Sequence, residues 1–497
     1  MLYIKRDLEK DLKTWYQSKL RKPLLLFGAR QVGKTTLIKQ FAKKQKLKLI
    51  YLNFEDIHTK QALQNINSVN DFLLFLHGKK YITLPTSDLQ AQNIGSKTKK
   101  HLDNILIFLD EIQEAPNMLS LLRFIKEDLP ELATIATGSW LNIFLKESHE
   151  KQVMQFPVGR VDMLTLYPIT FLEYLHTTNP NLHKLITHAW KTNIQNTITP
   201  TIHELLSQEF TKYIATGGMP EATSLLAEYN AVVPEIQQIQ GQIINSILQD
   251  AKQYNPEYGT EIDLIVSNVF SNPSQRKSLS KLNPNTNYVT TRKLLEYLKS
   301  AFIVFNAYAT VNTKPPLSIQ TKIHPKFFAL DIGLSINFMG IFTQLMQASL
   351  SNNSIKTAIN TDAQGMLAEQ YVAQVLLKSL NKQYLPNVPR LFYWTKLKSN
   401  AEIDFVFLRE NSVLNQNGKY VAVEVKSGKV GTLKSMVSFV QLLIEHDYSL
   451  DEYEFIRFWN NSPRIETLKH KITINNKTKN ITIKLRSLPI YLAELIV

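Results

Sequence analysis

Apolar residues fall in short continuous runs in the first third of the chain and at helical spacing through most of the rest, a combination that predicts an α/β protein. Residues 24–27 (Leu-Leu-Leu-Phe), 49–54, 105–109 and 132–136 are runs of strand length with apolar residues on both faces, as in buried parallel strands. Before the first of them, Leu8, Leu12, Trp15, Tyr16 and Leu20 recur at helical spacing, which predicts an amphipathic helix packed beside the first strand. Residues 36–43 and 59–76 read as helices, and residues 97–100 as a solvated lysine-bearing loop. Residues 165–250 read as helical, with Gly217-Gly218-Met219-Pro220 breaking the pattern. Residues 260–312 read as helix, polar loop through Asn287, helix from Thr291 to Ala301, and strand from Phe302 to Phe305. Further on, a helix over 365–377 precedes strand-like segments at 403–408 and 421–426.

Composition narrows the class. The 497 residues are 44 % hydrophobic and 20 % charged, which suits two to four folded domains with ample core. With no cysteine, disulfides, thiolate nucleophiles and cysteine-ligated metals are excluded, so any metal must bind oxygen or imidazole. Segments of about 18 apolar residues are absent, which leads us to expect a cytoplasmic protein without membrane contact. The net charge of +15 favours an anionic partner, either DNA or RNA or the nucleotide itself. Residues 360–497 hold 18 Lys+Arg against 13 Asp+Glu, so the charge is not concentrated there, and a solvated basic surface remains the alternative.

The first chemical motif follows the 24–27 run. Gly28-Ala29-Arg30-Gln31-Val32-Gly33-Lys34-Thr35 fits G-x-x-x-x-G-K-[ST] between a strand and a helix, with Thr36 continuing the helix. Two glycines let the backbone N–H groups converge on a phosphate; Lys34 can reach the β and γ phosphates and Thr35 can ligate Mg²⁺. The run at 105–109 ends in Asp110-Glu111, a strand that delivers carboxylates to the nucleotide. Asp110 would hold Mg²⁺ and Glu111 would polarise the attacking water. Thr137 and Ser139, at the end of the 132–136 run, are candidate γ-phosphate sensors, Ser139 equally a helix N-cap. Arg160 is either an arginine finger or a surface ion-pair partner.

A second constellation lies near the C-terminus. Glu369 shares a helix face with Val372, Ala373 and Leu376, where a carboxylate is costly unless paired or metal-bound. Asp404 is near the start of one apolar strand, and Glu424-Val425-Lys426 ends the next, with Glu424 and Lys426 on one face. A helix Glu, a strand Asp and a Glu-x-Lys resemble the PD-(D/E)XK nuclease fold. In that chemistry Glu369, Asp404 and Glu424 would ligate Mg²⁺ or Mn²⁺, and Lys426 would position water and stabilise charge on the phosphate. The alternative is a buried carboxylate–lysine cluster in a fold without catalysis.

The phosphate loop, Leu109-Asp110-Glu111-Ile112-Gln113, Thr137-Gly138-Ser139, Gly159-Arg160 with Leu166-Tyr167-Pro168, and Gly217-Gly218-Met219-Pro220-Glu221 together resemble a prokaryotic family of AAA-type ATP-binding proteins that carries an uncharacterised C-terminal domain. Trp140 departs from the small polar residue usual there. The resemblance covers nearly the whole chain. It implies an ATPase core in which another strand separates the strand of Asp110 from that of the phosphate loop, and a winged helix in 260–312, where Arg292, Lys293 and Lys299 either touch nucleic acid or decorate an exposed face. The expected layout is an AAA-type core over 1–165, a helical lid over 166–255, a winged-helix-like region over 256–315 and an α/β nuclease-like domain over 316–497. The expected function is an ATP- and Mg²⁺-dependent switch acting on nucleic acid; the alternative is an ATP-dependent scaffold whose C-terminal domain only binds protein partners. Oligomeric state stays open.

Overall fold

The computed structural model describes residues 2–85, 102–138, 159–351, 358–380, 391–409, 418–426, 433–474 and 477–497. Among these, two sheets organise the chain. The first joins β1 (Leu24–Phe27), β2 (Lys48–Asn53), β3 (Ile105–Asp110), β4 (Ala133–Thr137) and β5 (Asp162–Thr165) in the order β2-β3-β4-β1-β5, every neighbouring pair parallel. β4 thus separates β3 from β1, the arrangement the family resemblance implies.

Continuous apolar runs suit this sheet because each strand feeds two cores. Leu24 and Leu26 face Leu8, Leu12 and Trp15 of helix Leu8–Gln17 and Leu37 and Phe41 of helix Lys34–Gln45. Leu25 and Phe27 face the opposite layer, with Met118 and Leu122 of helix Pro116–Asp128 and Phe72 and Leu76 of helix Val69–Gly78. The single helix expected over 59–76 is two, Ile57–Leu63 and Val69–Gly78. Ser68 restarts the helix by accepting the N–H of Asp71, a local bond that competes with helix continuation.

The helical segment follows, with helix Pro200–Thr216 ending at Gly217 and helix Pro220–Tyr229 beginning with a proline suited to a first turn. Helices Gly259–Phe270, Leu279–Leu282 and Tyr288–Ser300 precede β6 (Val304–Thr310) and β7 (Lys326–Ala329), which pair antiparallel. The expected boundary at 315/316 falls in the connection between these two strands. β6 also pairs with β8 (Phe392–Thr395), so both strands extend the second sheet. With β9 (Glu402–Arg409), β10 (Lys419–Val425), β11 (Tyr453–Trp459), β12 (Arg464–Ile474) and β13 (Lys477–Pro489), that sheet runs β12-β13-β11-β10-β9-β8-β6-β7. Helix Thr361–Leu380 packs against it, sharing one core with helix Pro200–Thr216 and the terminal segment through Phe210, Tyr371 and Tyr491.

Candidate functional site

Parallel strands deliver their C-terminal ends to one edge, and the nucleotide motifs gather there. Gly28 has φ +144°, and a Cβ at that position would run into the carbonyl oxygen of Leu166. Lys34 opens the following helix and is buried; its ammonium donates to the carbonyls of Gly28 and Ala29, both at 2.9 Å. Burial lowers its pKa, with Glu111 and Asp110 pulling the other way, so the amine loses some of its preference for the proton but stays beside two carboxylates. Ala29 and Val32 are buried, whereas Gln31 and Thr36 are exposed. Arg30 reaches away from the loop to Asp250 at 2.5 Å, on helix Pro234–Tyr254.

Asp110 is the hub. Thr35 Oγ1 donates to its Oδ2 at 2.9 Å, Tyr51 OH to the same oxygen at 3.0 Å, and Thr137 Oγ1 to Oδ1. Thr35 comes from the phosphate loop, Tyr51 from β2 and Thr137 from β4, so a buried carboxylate is solvated by hydroxyls from both sides of β3. Oxygen donors of this kind on Thr35 and Asp110 fit Mg²⁺, a hard cation. Glu111, next along, has φ +54° and ψ +49°, which turns it out of the strand; Gln113 Nε2 donates to its Oε2 at 2.7 Å. Ser139 lies outside the described residues.

Arg160 is not gathered with this group. It precedes β5, whose Asp162 pairs with Leu24 at the start of β1, so it stands at the opposite edge of the sheet from the phosphate loop, 2.5 Å from Glu127. Three participants were not foreseen from the sequence. Tyr51 had no signal beyond its place in the 49–54 run. Arg6, buried, donates to the carbonyls of Val32 (3.2 Å) and Tyr167 and pairs with Glu173 at 3.4 Å, fixing the outside of the phosphate loop. Pro220 packs 3.3 Å from where a Cβ on Gly33 would be, bringing the Gly217-Gly218 turn against the loop.

The C-terminal residues also converge, around a cation absent from the sequence reading. Lys326 of β7, buried, places Nζ 2.7 Å from Glu369, 2.6 Å from Glu402 and 3.1 Å from Asp404. Arg276 pairs with Glu402 as well. Asp404 Oδ2 accepts the N–H of Val425 at 2.8 Å, and Lys426 pairs with Glu424 at 2.9 Å, leaving Glu424 Oε2 buried without a hydrogen bond from the described residues. Burial pushes Glu369 up to about 7 against the pull of Lys326, and burial likewise raises Glu424 against Lys426. For Lys326 burial disfavours the charge, but Glu369 and Asp404 outweigh it and hold its pKa high. Among the described residues no group of three or more His, Asp or Glu is arranged to hold a metal ion. The signal for Glu402 was available, since period two places it on the face of Asp404; Lys326 is 78 residues from Asp404 and had none.

Of the basic residues on helix Tyr288–Ser300, Arg292 and Lys293 are exposed, while Lys299 is engaged by Glu296 at 2.9 Å and Tyr308 at 3.2 Å. No helix of the described residues is long and apolar enough to cross a membrane.

A parallel sheet in this order, with a glycine-lysine-threonine loop after β1 and a carboxylate hub at the end of β3, defines an α/β core of the P-loop ATPase type. Residues 20–175 match the family model of an AAA domain, which supports an AAA-type nucleotide-binding ATPase core. Residues 207–345 and 364–475 match two domains of unknown function, DUF8612 and DUF4143. An uncharacterized protein of Methanocaldococcus jannaschii is 24 % identical over 264 residues, which are 50 % of this chain and 48 % of that protein. The chain therefore spans about half the length of the curated relative it matches. A mutant RuvB of Thermotoga maritima overlays with a TM-score of 0.26 at 14 % identity, over 64 % of this chain and 92 % of that one.

Proposed function

We propose that this chain is an ATP-driven switch: it binds ATP with Mg²⁺, hydrolyses it, and passes the nucleotide state to its C-terminal unit. The observation that carries the reading is the meeting of Lys34, Thr35, Asp110, Thr137 and Glu111 at one edge of a parallel sheet. The loop N–H groups and the helix beginning at Lys34 would cradle the phosphates, and Lys34 would exchange the Gly28 and Ala29 carbonyls for β- and γ-phosphate oxygens. Thr35 and Asp110 would hold Mg²⁺, which supplies charge neutralisation across the phosphates. Glu111 orients a water for attack on the γ-phosphorus and accepts its proton as the bond to ADP breaks. Arg160, at the far edge, reaches a nucleotide only across a subunit boundary, which is the form in which its role as an arginine finger stands.

For the C-terminal unit, the nuclease-like reading rests on Glu369, Asp404, Glu424 and Lys426 with Mg²⁺ or Mn²⁺, with the exposed Arg292 and Lys293 as nucleic-acid contacts and cytoplasmic DNA or RNA as the substrate. The position of Lys326 among the same carboxylates favours the second reading, an interaction domain without cleavage. ATP turnover by the wild type and by Glu111→Gln tests the core. The expected result is Mg²⁺-dependent hydrolysis that falls about 10²- to 10⁴-fold in the variant while ATP binding persists; equal rates would assign water activation elsewhere.

A further inference from the structure

We propose that the ammonium of Lys326 is the resident cation of the Glu369–Glu402–Asp404 cluster, so that these oxygens accept a divalent metal only in exchange for it. The inference is independent of the ATPase reading.

Geometry carries it. One buried amine contacts three carboxylates, one from helix Thr361–Leu380 and two from β9, at 2.6 to 3.1 Å. The contacts to Glu369 and Asp404, at 2.7 and 3.1 Å, are N⁺–H to O⁻ hydrogen bonds, longer than the roughly 2.0–2.6 Å that Mg²⁺ or Ca²⁺ requires of oxygen. An ammonium has three donors, and here two are hydrogen-bonded, to Glu369 and Asp404, while Glu402 lies at ion-pair distance. The backbone beneath is fixed as well. The Gln370 side chain, adjacent to Glu369, accepts the N–H of Ala329 at 3.0 Å and donates to its carbonyl at 2.9 Å, which ties β7 to the helix three residues from Lys326. The Lys326 ammonium also lies 5.5 Å from the face of Tyr393, with Arg276 4.8 Å from the same ring.

Charge leads to the same conclusion. With every group ionised, which for Glu369 means above about pH 7, the carboxylates of Glu369, Glu402, Asp404 and Glu424 are opposed by Lys326, Arg276 and Lys426, so the cluster is one charge short of neutral. A divalent ion added to this set would overshoot neutrality and meet an ammonium at contact distance in a site with little water to screen it. Withdrawing Lys326 restores both the negative charge and the coordination space, with Glu424 Oε2 as an additional oxygen lacking a hydrogen bond among the described residues.

The test is Mn²⁺ binding to the full chain without nucleotide, read by electron paramagnetic resonance and by melting temperature. Wild type, Asp404→Ala, Lys326→Met and Lys326→Met/Asp404→Ala are compared, with Lys326→Gln as a variant that keeps a hydrogen-bond donor and loses the charge. Wild type and Asp404→Ala should bind Mn²⁺ alike. Lys326→Met and Lys326→Gln should each gain one site at least tenfold tighter than any in the wild type, and the double variant should lose it. Both Lys326 single variants should melt lower than wild type without metal and recover with Mn²⁺. Wild-type Mn²⁺ binding that Asp404→Ala abolishes would overturn the proposal. So would folded Lys326 variants with no new site, or unfolded ones that Mn²⁺ does not restore.

Discussion

Asp110 is where the chemistry of single side chains is most constrained. A buried carboxylate survives there because three hydroxyls, from Thr35, Tyr51 and Thr137, satisfy it. Lys34→Ala removes a buried cation at this edge that faces both Asp110 and Glu111, and with it the principal point charge for β- and γ-phosphates; titration with a fluorescent ATP analogue should show affinity lost by at least two orders of magnitude, roughly 3 kcal/mol. Unchanged affinity would remove Lys34 from the site. The phosphate loop and the Asp110-Glu111 pair were legible in the sequence because each is a contiguous motif beside a strand whose apolar run is equally contiguous. Tyr51, Arg6 and Lys326 were not, because each acts on residues more than 25 positions away and only tertiary packing brings them in. Glu402 lay within reach of the period-two rule, which places it on the face of Asp404.

Among the elements, the turn at Gly217-Gly218 joins the nucleotide edge to the second sheet. Gly217 has φ +78°, and a Cβ there would collide with the Asp331 carboxylate and the Gly333 backbone. Asp331, fully buried, accepts the N–H groups of Gly218 (2.7 Å) and Gly333 (2.9 Å) and the Gln374 amide (3.2 Å). Burial outweighs these bonds and pushes its pKa up to about 6. The folded chain therefore keeps a proton that the unfolded chain releases between about pH 4 and pH 6. This contribution to stability is full below that window, declines as pH rises through it and is lost above it, on the order of 3 kcal/mol. Urea melts of wild type and Asp331→Asn from pH 4 to 7 should show the difference between them shrinking with rising pH; a constant difference would mean that Asp331 does not titrate in the window. The turn was legible as a break in helical spacing. Its partner was not, since Asp331 is 113 residues from Gly218. The strand expected at 302–305 begins only at Val304 and runs to Thr310, Phe302 being in a turn with φ +61°, and for the same reason its membership of the C-terminal sheet through the β6–β8 pairing was not legible.

In the molecule as a whole, helix Thr361–Leu380 carries Glu369 at the lysine-centred cluster, Gln374 on Asp331, and Lys378 in a second buried ionic network. Lys378 contacts Glu494 at 2.9 Å and Glu173 at 3.4 Å, and Glu173 in turn pairs with Arg6, which holds the phosphate-loop carbonyl of Val32. Lys378→Met leaves Glu173 and Glu494 with an uncompensated buried charge and should cost about 3–5 kcal/mol in chemical denaturation; a loss under 1 kcal/mol would show that the network contributes little. Two routes thus run from the phosphate loop to one helix, through Pro220, Gly218 and Asp331, and through Arg6, Glu173 and Lys378. The central claim is that ATP acts along them. Amide hydrogen exchange of Glu111→Gln, held with ATP or ADP, measures this directly. The account predicts that protection changes in β7, in residues 331–334 and in helix Thr361–Leu380 when ATP replaces ADP, together with the phosphate loop. Changes confined to the loop and its own sheet, with the helix identical in both nucleotides, would contradict the switch.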